Sequence, residues 1–590
     1  MSPPDVPFDP ARAMAEAQAH AGAGRHAEAE RVLRAIVAAV PREAPPWRAL
    51  AVACWVQGRT DDAIAAMREA AARDPSYAEA PNDLGVMLAR AGRFDESVAA
   101  FSQAAAARPR WAEPLVNLGN AHRNAGRLDE AVDAYRRAVA LEPARAHLHH
   151  ALGSTLGRAG FREQARAHYL EALRLDPRDA AAHSGLLYLT SLSPGNDARV
   201  LRAEHVWWDR LHGRGLAPAA PHANAREPER RLRIGYVSAD FRAHAVAQFL
   251  LPIYEAHDRA RVAVVSYSDV ETPDAVTSRF RALSDEWREL GGLSDAAVAE
   301  RVRDDRIDVL VDLGGHTTGT RLRVFTERPA PLQMSYLGYP CTTGLAAMTH
   351  RITDDVLDPA GVEGDYTEAL LRLSGAWTCW RPPEAAPAVA PPPVAGSGVF
   401  TFGSLANVLK LNDAVLDQWA EILRAAPGSR LRLRRNTLTG RARQDVLRRF
   451  AARGVAPERL DVATNAEGDH LVEYASLDLS LDTQPWSGHT ITCESLWMGV
   501  PVATLRGPLP TGRMAASVLA AAGLDEFVAE TPAALVELAV GFARDPRRLV
   551  ELRSTLRDRV ASSPLCDAPS FTRRFEAALR DAWRAWCKSQ

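Results

Sequence analysis

Three short segments of the chain carry residue types able to hold and transfer a charged group. In LDLSLDTQPWSGHTITCESLWMGVPVATLRG (477–507) an apolar strand ends at Asp482, and a turn bears Gly488, His489 and Thr490. A helix follows, with Thr490 and Thr492 in its first turn. Unpaired N–H groups and the helix dipole favour an anion there, and the hydroxyls can cap the helix or bond phosphate oxygens. Glu494 is too acidic to welcome phosphate itself but is placed for ribose hydroxyls. In FTFGSLANVLKLND (400–413) a strand runs into a Gly-Ser loop, and Asn407 and Lys410 precede the next helix. A lysine there would neutralise the charge developing on a diphosphate leaving group. In VSADFRAHAVAQF (237–249) His244 sits between strand and helix, where it could act as a base or orient an acceptor hydroxyl. His316 in GGHTTGTR and the Leu337-Gly338 turn of LGYP share that rim, while His470 in NAEGDHLVEY could stack on a nucleobase. Each also has a plain structural reading: an unliganded N-cap, a solvated lysine, a capping or merely packed histidine.

Positioning these residues requires β-α alternation, which begins at Arg230. LRIGYVS, VAVVSYSD, IDVLVDLGG and LQMSYLGYP read as strands of one parallel, doubly wound lobe over 230–398. The proline-rich run RPPEAAPAVAPPPVAGSG (381–398) reads as a spacer. A second lobe over 399–590 follows, with strands VFTFGSL, SRLRLRR, RLDVAT, LDLSLDT and VPVATLRG. Two such α/β lobes place a ligand at their strand carboxyl ends, the glycosyltransferase-B layout. Pattern alone leaves periplasmic-binding-like and dehydrogenase folds open.

The amino-terminal third repeats itself. Gly24, Gly58, Gly92, Gly126 and Gly160 keep a 34-residue step, as do Pro41, Pro75, Pro109, Pro143 and Pro177. Small residues (Ala29, Ala63, Ser97, Ala131, Ala165) and large ones (Met67, Phe101, Tyr135, Tyr169) share the period. Stacked helix pairs need this: small residues for close approach, a large one for the hollow, and a proline where the second helix ends. Five tetratricopeptide repeats and a capping helix are expected over 8–192, an α-solenoid ahead of the α/β lobes, then a connector over 193–229 with one short helical stretch around Trp207-Trp208. Solenoids offer a concave groove to extended peptides, where Asn82, Asn117 and Asn120 would bond a peptide backbone or simply be solvated.

Composition narrows the classes further. A net charge of -2 over 590 residues offers no basic surface for nucleic acid or an anionic membrane. The six cysteines form no C-x-x-C pair, so neither a disulfide framework nor a zinc site is indicated. No apolar run reaches a membrane span and the first residues lack a signal pattern, so a cytoplasmic location is expected.

In order, the repeats, RLRIGYVSADFRAH, DLGGHTTGTR, RPAPLQMSYLGYPCTTG, FGSLANVLK and DTQPWSGHTITCESLWMGVP resemble the O-linked N-acetylglucosamine transferase and SPINDLY family. The resemblance covers about 231–588. It implies an inverting transfer from a nucleotide sugar to Ser or Thr hydroxyls of proteins, without cofactor or metal; the cleft segments lack a D-x-D motif, in agreement. It implies that Lys410 holds the diphosphate and that Asn407 stands where animal members have a donor-contacting glutamine. His470 then matches the base-stacking histidine, Thr490 and its neighbours the phosphate turn, and Glu494 the ribose carboxylate. His244 falls near the acceptor, and Leu337 and Gly338 beside the sugar. UDP-N-acetylglucosamine is the donor the family suggests. Two departures leave others open: Glu473 replaces an arginine of animal members, and Met348-Thr349-His350 replaces Met-Asp-Tyr. The alternatives are a GDP-fucose donor, as in SPINDLY-like members, and a nonulosonic acid transferred to flagellin. A non-catalytic repeat scaffold and a sugar-nucleotide epimerase or hydrolase complete the set.

Overall fold

A computed structural model describes residues 8–213, 222–466 and 468–589. The chain divides into two compact units, residues up to 159 with 163–175, and 160–162 with 176 onward.

The first unit is built of helix pairs: α1 (Pro10–Gly22) with α2 (His26–Ala39), α3 (Ala44–Val56) with α4 (Thr60–Arg73), and α5 (Glu79–Arg90) with α6 (Phe94–Ala107). The pairs α7 (Ala112–Asn124) with α8 (Leu128–Leu141) and α9 (Ala146–Arg158) with α10 (Arg162–Leu175) complete the five expected repeats. The periodic residues have the expected jobs. Gly24, Gly58, Gly92 and Gly126 take φ of 73–77° in the turns, a region that side chains disfavour. A Cβ on Gly85 would stand 2.6 Å from the Phe101 ring, and one on Gly119 2.8 Å from Tyr135. The asparagines are hydrogen-bonded within the array. Asn82 is buried and accepts from Asn117 Nδ2 at 3.0 Å, while Asn120 Oδ1 accepts from Tyr135 Oη at 2.6 Å and from Arg123 at 3.2 Å. These bonds tie neighbouring helices together.

The second unit opens with α11 (Ala180–Ser191) and α12 (Ala198–His212). The presumed capping helix α11 belongs to this unit, and the presumed connector carries a 15-residue helix with Trp208 fully buried. The rest of that connector includes 214–221, which lies outside the described residues.

The first lobe comprises β1 (Leu232–Ser238), α13 (Ala245–Ala256), β2 (Val262–Ser268), α14 (Ala275–Leu283), β3 (Glu286–Glu289) and α15 (Asp295–Asp304). It continues with β4 (Val309–Asp312), α16 (Leu322–Thr326), β5 (Leu332–Ser335), β6 (His350–Thr353) and β7 (Ala369–Arg372). All strands are parallel, in the order β3-β2-β1-β4-β5-β6-β7. The proline-rich segment includes α17 (Pro393–Ser397) and is anchored, not free: Arg553 donates to Ala390 O and Arg557 to Pro387 O, both at 2.7 Å.

The second lobe contains β8 (Thr401–Ser404), α18 (Asp413–Ala425), β9 (Arg430–Arg434), α19 (Gly440–Ala451), β10 (Leu460–Ala463) and β11 (Leu479–Leu481). Then come α20 (Thr490–Trp497), β12 (Val502–Leu505), α21 (Met514–Ala521), β13 (Val528–Ala529), α22 (Pro532–Arg544) and α23 (Pro546–Ala561). Its parallel order is β10-β9-β8-β11-β12-β13. The last helix, α24 (Ala568–Lys588), was expected in this lobe but packs on the first. Glu576 accepts from His257 at 2.8 Å, and Arg580 donates to the carbonyls of Pro228 and Arg230.

Candidate functional site

In each sheet the strand order reverses once, between β1 and β4 and between β8 and β11. Loops leaving such neighbours diverge to opposite faces and open a crevice at the carboxyl edge. The chemically suggestive residues collect at these two points.

In the second lobe, β8 leads into Asn407, whose Oδ1 caps a single tight turn by accepting from Leu409 N at 3.0 Å. That turn ends at Lys410, whose Nζ donates to Ser487 O at 3.0 Å. Ser487 belongs to the loop after β11, so this bond spans the crevice. Burial pulls the Lys410 ammonium down to about 8, opposed by Asp482 and assisted by the Arg435 charge. Asp482, just past β11, holds the turn: its Oδ1 accepts from Gly488 N and its Oδ2 from the Thr504 hydroxyl, both at 2.7 Å. Gly488 has no room for a side chain, because a Cβ would lie 2.7 Å from Ile491 and 2.8 Å from Thr492 Oγ1. Thr490 starts α20, and the Thr492 hydroxyl is buried with no hydrogen-bond partner. The arrangement suits an anion: first-turn N–H groups, a spare hydroxyl and a lysine.

His489 joins the lobes. Its ring stacks on Phe249 of α13 at 4.0 Å and 8°, and on Trp377 at 5.2 Å and 23°. Its Nε2 lies 3.2 Å from Thr378 Oγ1. Burial and the nearby Lys410 charge push its pKa down to about 3, so the imidazole is neutral at physiological pH. Gln248 adds a second tie, accepting from Trp380 Nε1 at 2.9 Å and reaching Glu494 at 3.5 Å.

His470 and Glu494 meet each other: Nε2 and Oε2 are 2.9 Å apart. The carboxylate raises the histidine's pKa. Glu473, standing where an arginine is found in animal members, accepts from Ala466 N at 2.6 Å and lies 3.4 Å from Arg434.

At the first lobe's reversal point, Ser238, Asp240, Asp312, Gly314, Thr320 and Arg321 line a crevice. Burial pushes the Asp312 carboxyl up to about 6, against the N–H groups of Gly315 and Gly314. His244 borders this crevice as the N-cap of α13, its Nδ1 3.4 Å from Val246 N and 3.5 Å from Asp240. Burial lowers its pKa, leaving a neutral ring able to accept a proton. Leu337 has φ of 74°, and a Cβ on Gly338 would meet Leu313 O at 2.1 Å, so this turn presses onto the end of β4.

His316 is the misplaced residue. It is buried, and Nε2 donates to Thr343 O at 2.8 Å, so Nδ1 must accept from the Ser184 hydroxyl at 3.0 Å. Both nitrogens are used, and no edge remains for a donor. It belongs to a packed group with His183, His205, His212, Trp208 and Tyr339. His205 donates to Leu201 O at 2.6 Å and accepts from Tyr339 Oη at 2.7 Å. Burial lowers His183 and His205 from 6.5 to about 4. The unfolded chain therefore takes up protons first as pH falls; the stability these rings contribute is full above 6.5 and lost towards pH 4. The melting temperature of the wild type should drop between pH 7.5 and 5, and that of His205→Gln should drop less; equal drops remove His205 from the effect.

Sequence reasoning missed Asp482 as the acceptor that holds the turn, the Phe249–Trp377 bracket on His489, and Arg435 beside Lys410. Asp482 was legible as a strand-end carboxylate. The bracket was not, since its rings lie far apart in the chain.

Two parallel α/β sheets whose carboxyl-terminal loops meet at His489 form the glycosyltransferase-B architecture, here preceded by tetratricopeptide repeats. The chain belongs to glycosyl transferase family 41, whose profile matches residues 209–378 and 397–575. Tetratricopeptide-repeat profiles match 14–78, 76–142 and 150–189. The chain is 38% identical to the "Probable UDP-N-acetylglucosamine--peptide N-acetylglucosaminyltransferase SPINDLY" of Petunia hybrida, over 68% of this chain and 44% of that protein. It is 38% identical to the protein of the same name from Arabidopsis thaliana, over 69% of this chain and 45% of the relative. The matched region thus spans less than half the length of these relatives. A mutant O-GlcNAc transferase from Thermobaculum terrenum superimposes with a TM-score of 0.82 at 39% identity, covering 87% of this chain and 98% of the other.

Proposed function

We propose that the chain is a protein O-glycosyltransferase that moves a sugar, with inversion, from a nucleotide sugar to Ser or Thr hydroxyls of proteins recognised through the repeats. The observation that carries this reading is the second-lobe crevice, where Lys410 reaches across to Ser487 O beside the Gly488–Thr490 turn. The departing phosphate would lie against the α20 N–H groups and the Thr492 hydroxyl, with Lys410 meeting the charge that grows as the sugar bond breaks. Metal independence follows from the same reading, since these groups supply the positive charge. His470 and Glu494 would part company to take the base and the ribose. His244, neutral and on the facing lobe, is the proposed neighbour of the acceptor hydroxyl.

UDP-N-acetylglucosamine, named for the relatives as their donor, is the proposed donor here. Intact-mass measurement of a co-expressed acceptor protein, flagellin first and then a panel of cytoplasmic proteins, tests both points. One N-acetylhexosamine is the expected addition. A deoxyhexose or nonulosonic acid overturns the donor, and no added mass on any acceptor overturns the transferase reading.

A further inference from the structure

Several arginines around Arg435 are paired with carboxylates. Arg432 and Arg434 bond Asp461 at 2.8 and 2.7 Å, and Arg449 and Arg453 share Asp413 at 3.0 and 2.9 Å. Arg435 is different. It follows β9, which pairs with β8 in the register Ser404↔Leu433, so it stands at the carboxyl edge of the sheet. Its side chain is half-buried and makes one long hydrogen bond, to Leu405 O at 3.4 Å, in the loop that leads to Asn407 and Lys410. Among the described residues it has no carboxylate partner. Its charge is close enough to Lys410 and His470 to disfavour the protonated form of each.

Like charges on neighbouring loops of one half-buried edge repel, and each has shed part of its hydration. The nearby carboxylates do not resolve this. Both oxygens of Asp482 are occupied by Gly488 N and Thr504, and Glu494 faces His470. Buried hydroxyls of the same crevice are also unmatched: Ser404 Oγ, at the end of β8, and Thr492 Oγ1, at the start of α20, have no hydrogen-bond partner at 3% and 1% exposure. An anion at this edge would offset both charges and offer oxygens to such hydroxyls.

We infer that Arg435 is a second cation of the donor crevice, binding a phosphate oxygen of a nucleoside diphosphate alongside Lys410. This rests on the reading of the chain as a nucleotide-sugar transferase. A guanidinium grips two oxygens in one plane, whereas an ammonium is a point charge, so the pair divides the work: Arg435 orients the diphosphate and Lys410 follows its growing charge.

Calorimetric titration of the full chain with UDP, GDP, uridine and guanosine tests the inference. The wild type should bind a diphosphate. Arg435→Gln should weaken that binding by about tenfold or more, leave nucleoside binding unchanged, and make diphosphate affinity less sensitive to salt. Arg435→Lys should fall between the two, and it carries the test should the glutamine variant fail to fold. Wild-type diphosphate affinity in a folded variant overturns the role of Arg435 and leaves the proposed function standing. Equal loss of nucleoside and diphosphate affinity makes Arg435 a wall of the pocket, which also overturns its role. A wild type that binds neither UDP nor GDP overturns the function and the inference together.

Discussion

Lys410→Ala is expected to lower sugar transfer by about a hundred- to a thousandfold while the protein stays folded. The lysine's single bond is to the backbone carbonyl Ser487 O, so its removal breaks no side-chain network. Nothing in the apolar core changes. What is lost is the positive charge beside the leaving phosphate, felt most in the transition state and least in donor binding, so kcat should fall more than KM rises. The pH profile adds a second signature. With Lys410 held at about 8, the free enzyme loses its ammonium as pH rises through that value, so kcat/KM should decline above pH 8. Lys410→Arg keeps its charge throughout and should lack this alkaline limb. A folded alanine variant with wild-type turnover removes Lys410 from the chemistry.

Deleting residues 1–177 should reduce modification of the native protein acceptor on the order of a hundredfold, through lost avidity, with nucleotide binding and donor hydrolysis nearly unchanged. The deletion leaves both crevice reversals and all of the second compact unit except residues 160–162, 176 and 177. Short peptide acceptors should lose far less than the whole protein. Single asparagine substitutions in the repeats should act in a way the groove picture alone does not suggest. Removing Asn117 frees Asn82, a buried amide, and should lower the stability of the array along with any effect on acceptor binding. Full activity of the truncated protein on its native acceptor would show that the repeats are not the recognition device.

How much of this was legible in the chain depends on how local the cause is. The 34-residue period was visible because each Gly–aromatic contact, such as Gly85 on Phe101, recurs at the same sequence distance. The long apolar strands β1 and β2 were visible too, but β3, with sequence EWRE, and the short β6 and β7 were not, being edge or near-edge strands without a continuous apolar run. Within the site, Lys410, Gly488 and Thr492 could be found because one strand, one loop and one helix turn place them. His316 misled because its surroundings come from α11 and α12, helices that local pattern had assigned to a cap and a connector. Arg435 was hidden in RLRLRR, where only the ion pairs of its neighbours single it out.

The placement of α24 sets an order of events during synthesis. His257 must wait 319 residues for Glu576, and the carbonyl of Arg230 waits 350 for Arg580. A ribosome therefore releases the repeats, whose strongest helix contacts run between adjacent helices, long before the first lobe can close. Through that interval the α13 face that receives α24 is uncovered, and the entire second lobe must emerge between the two halves of that contact. The nascent chain thus has a finished solenoid and an unfinished lobe, which makes this face the place where a chaperone has the longest time to act.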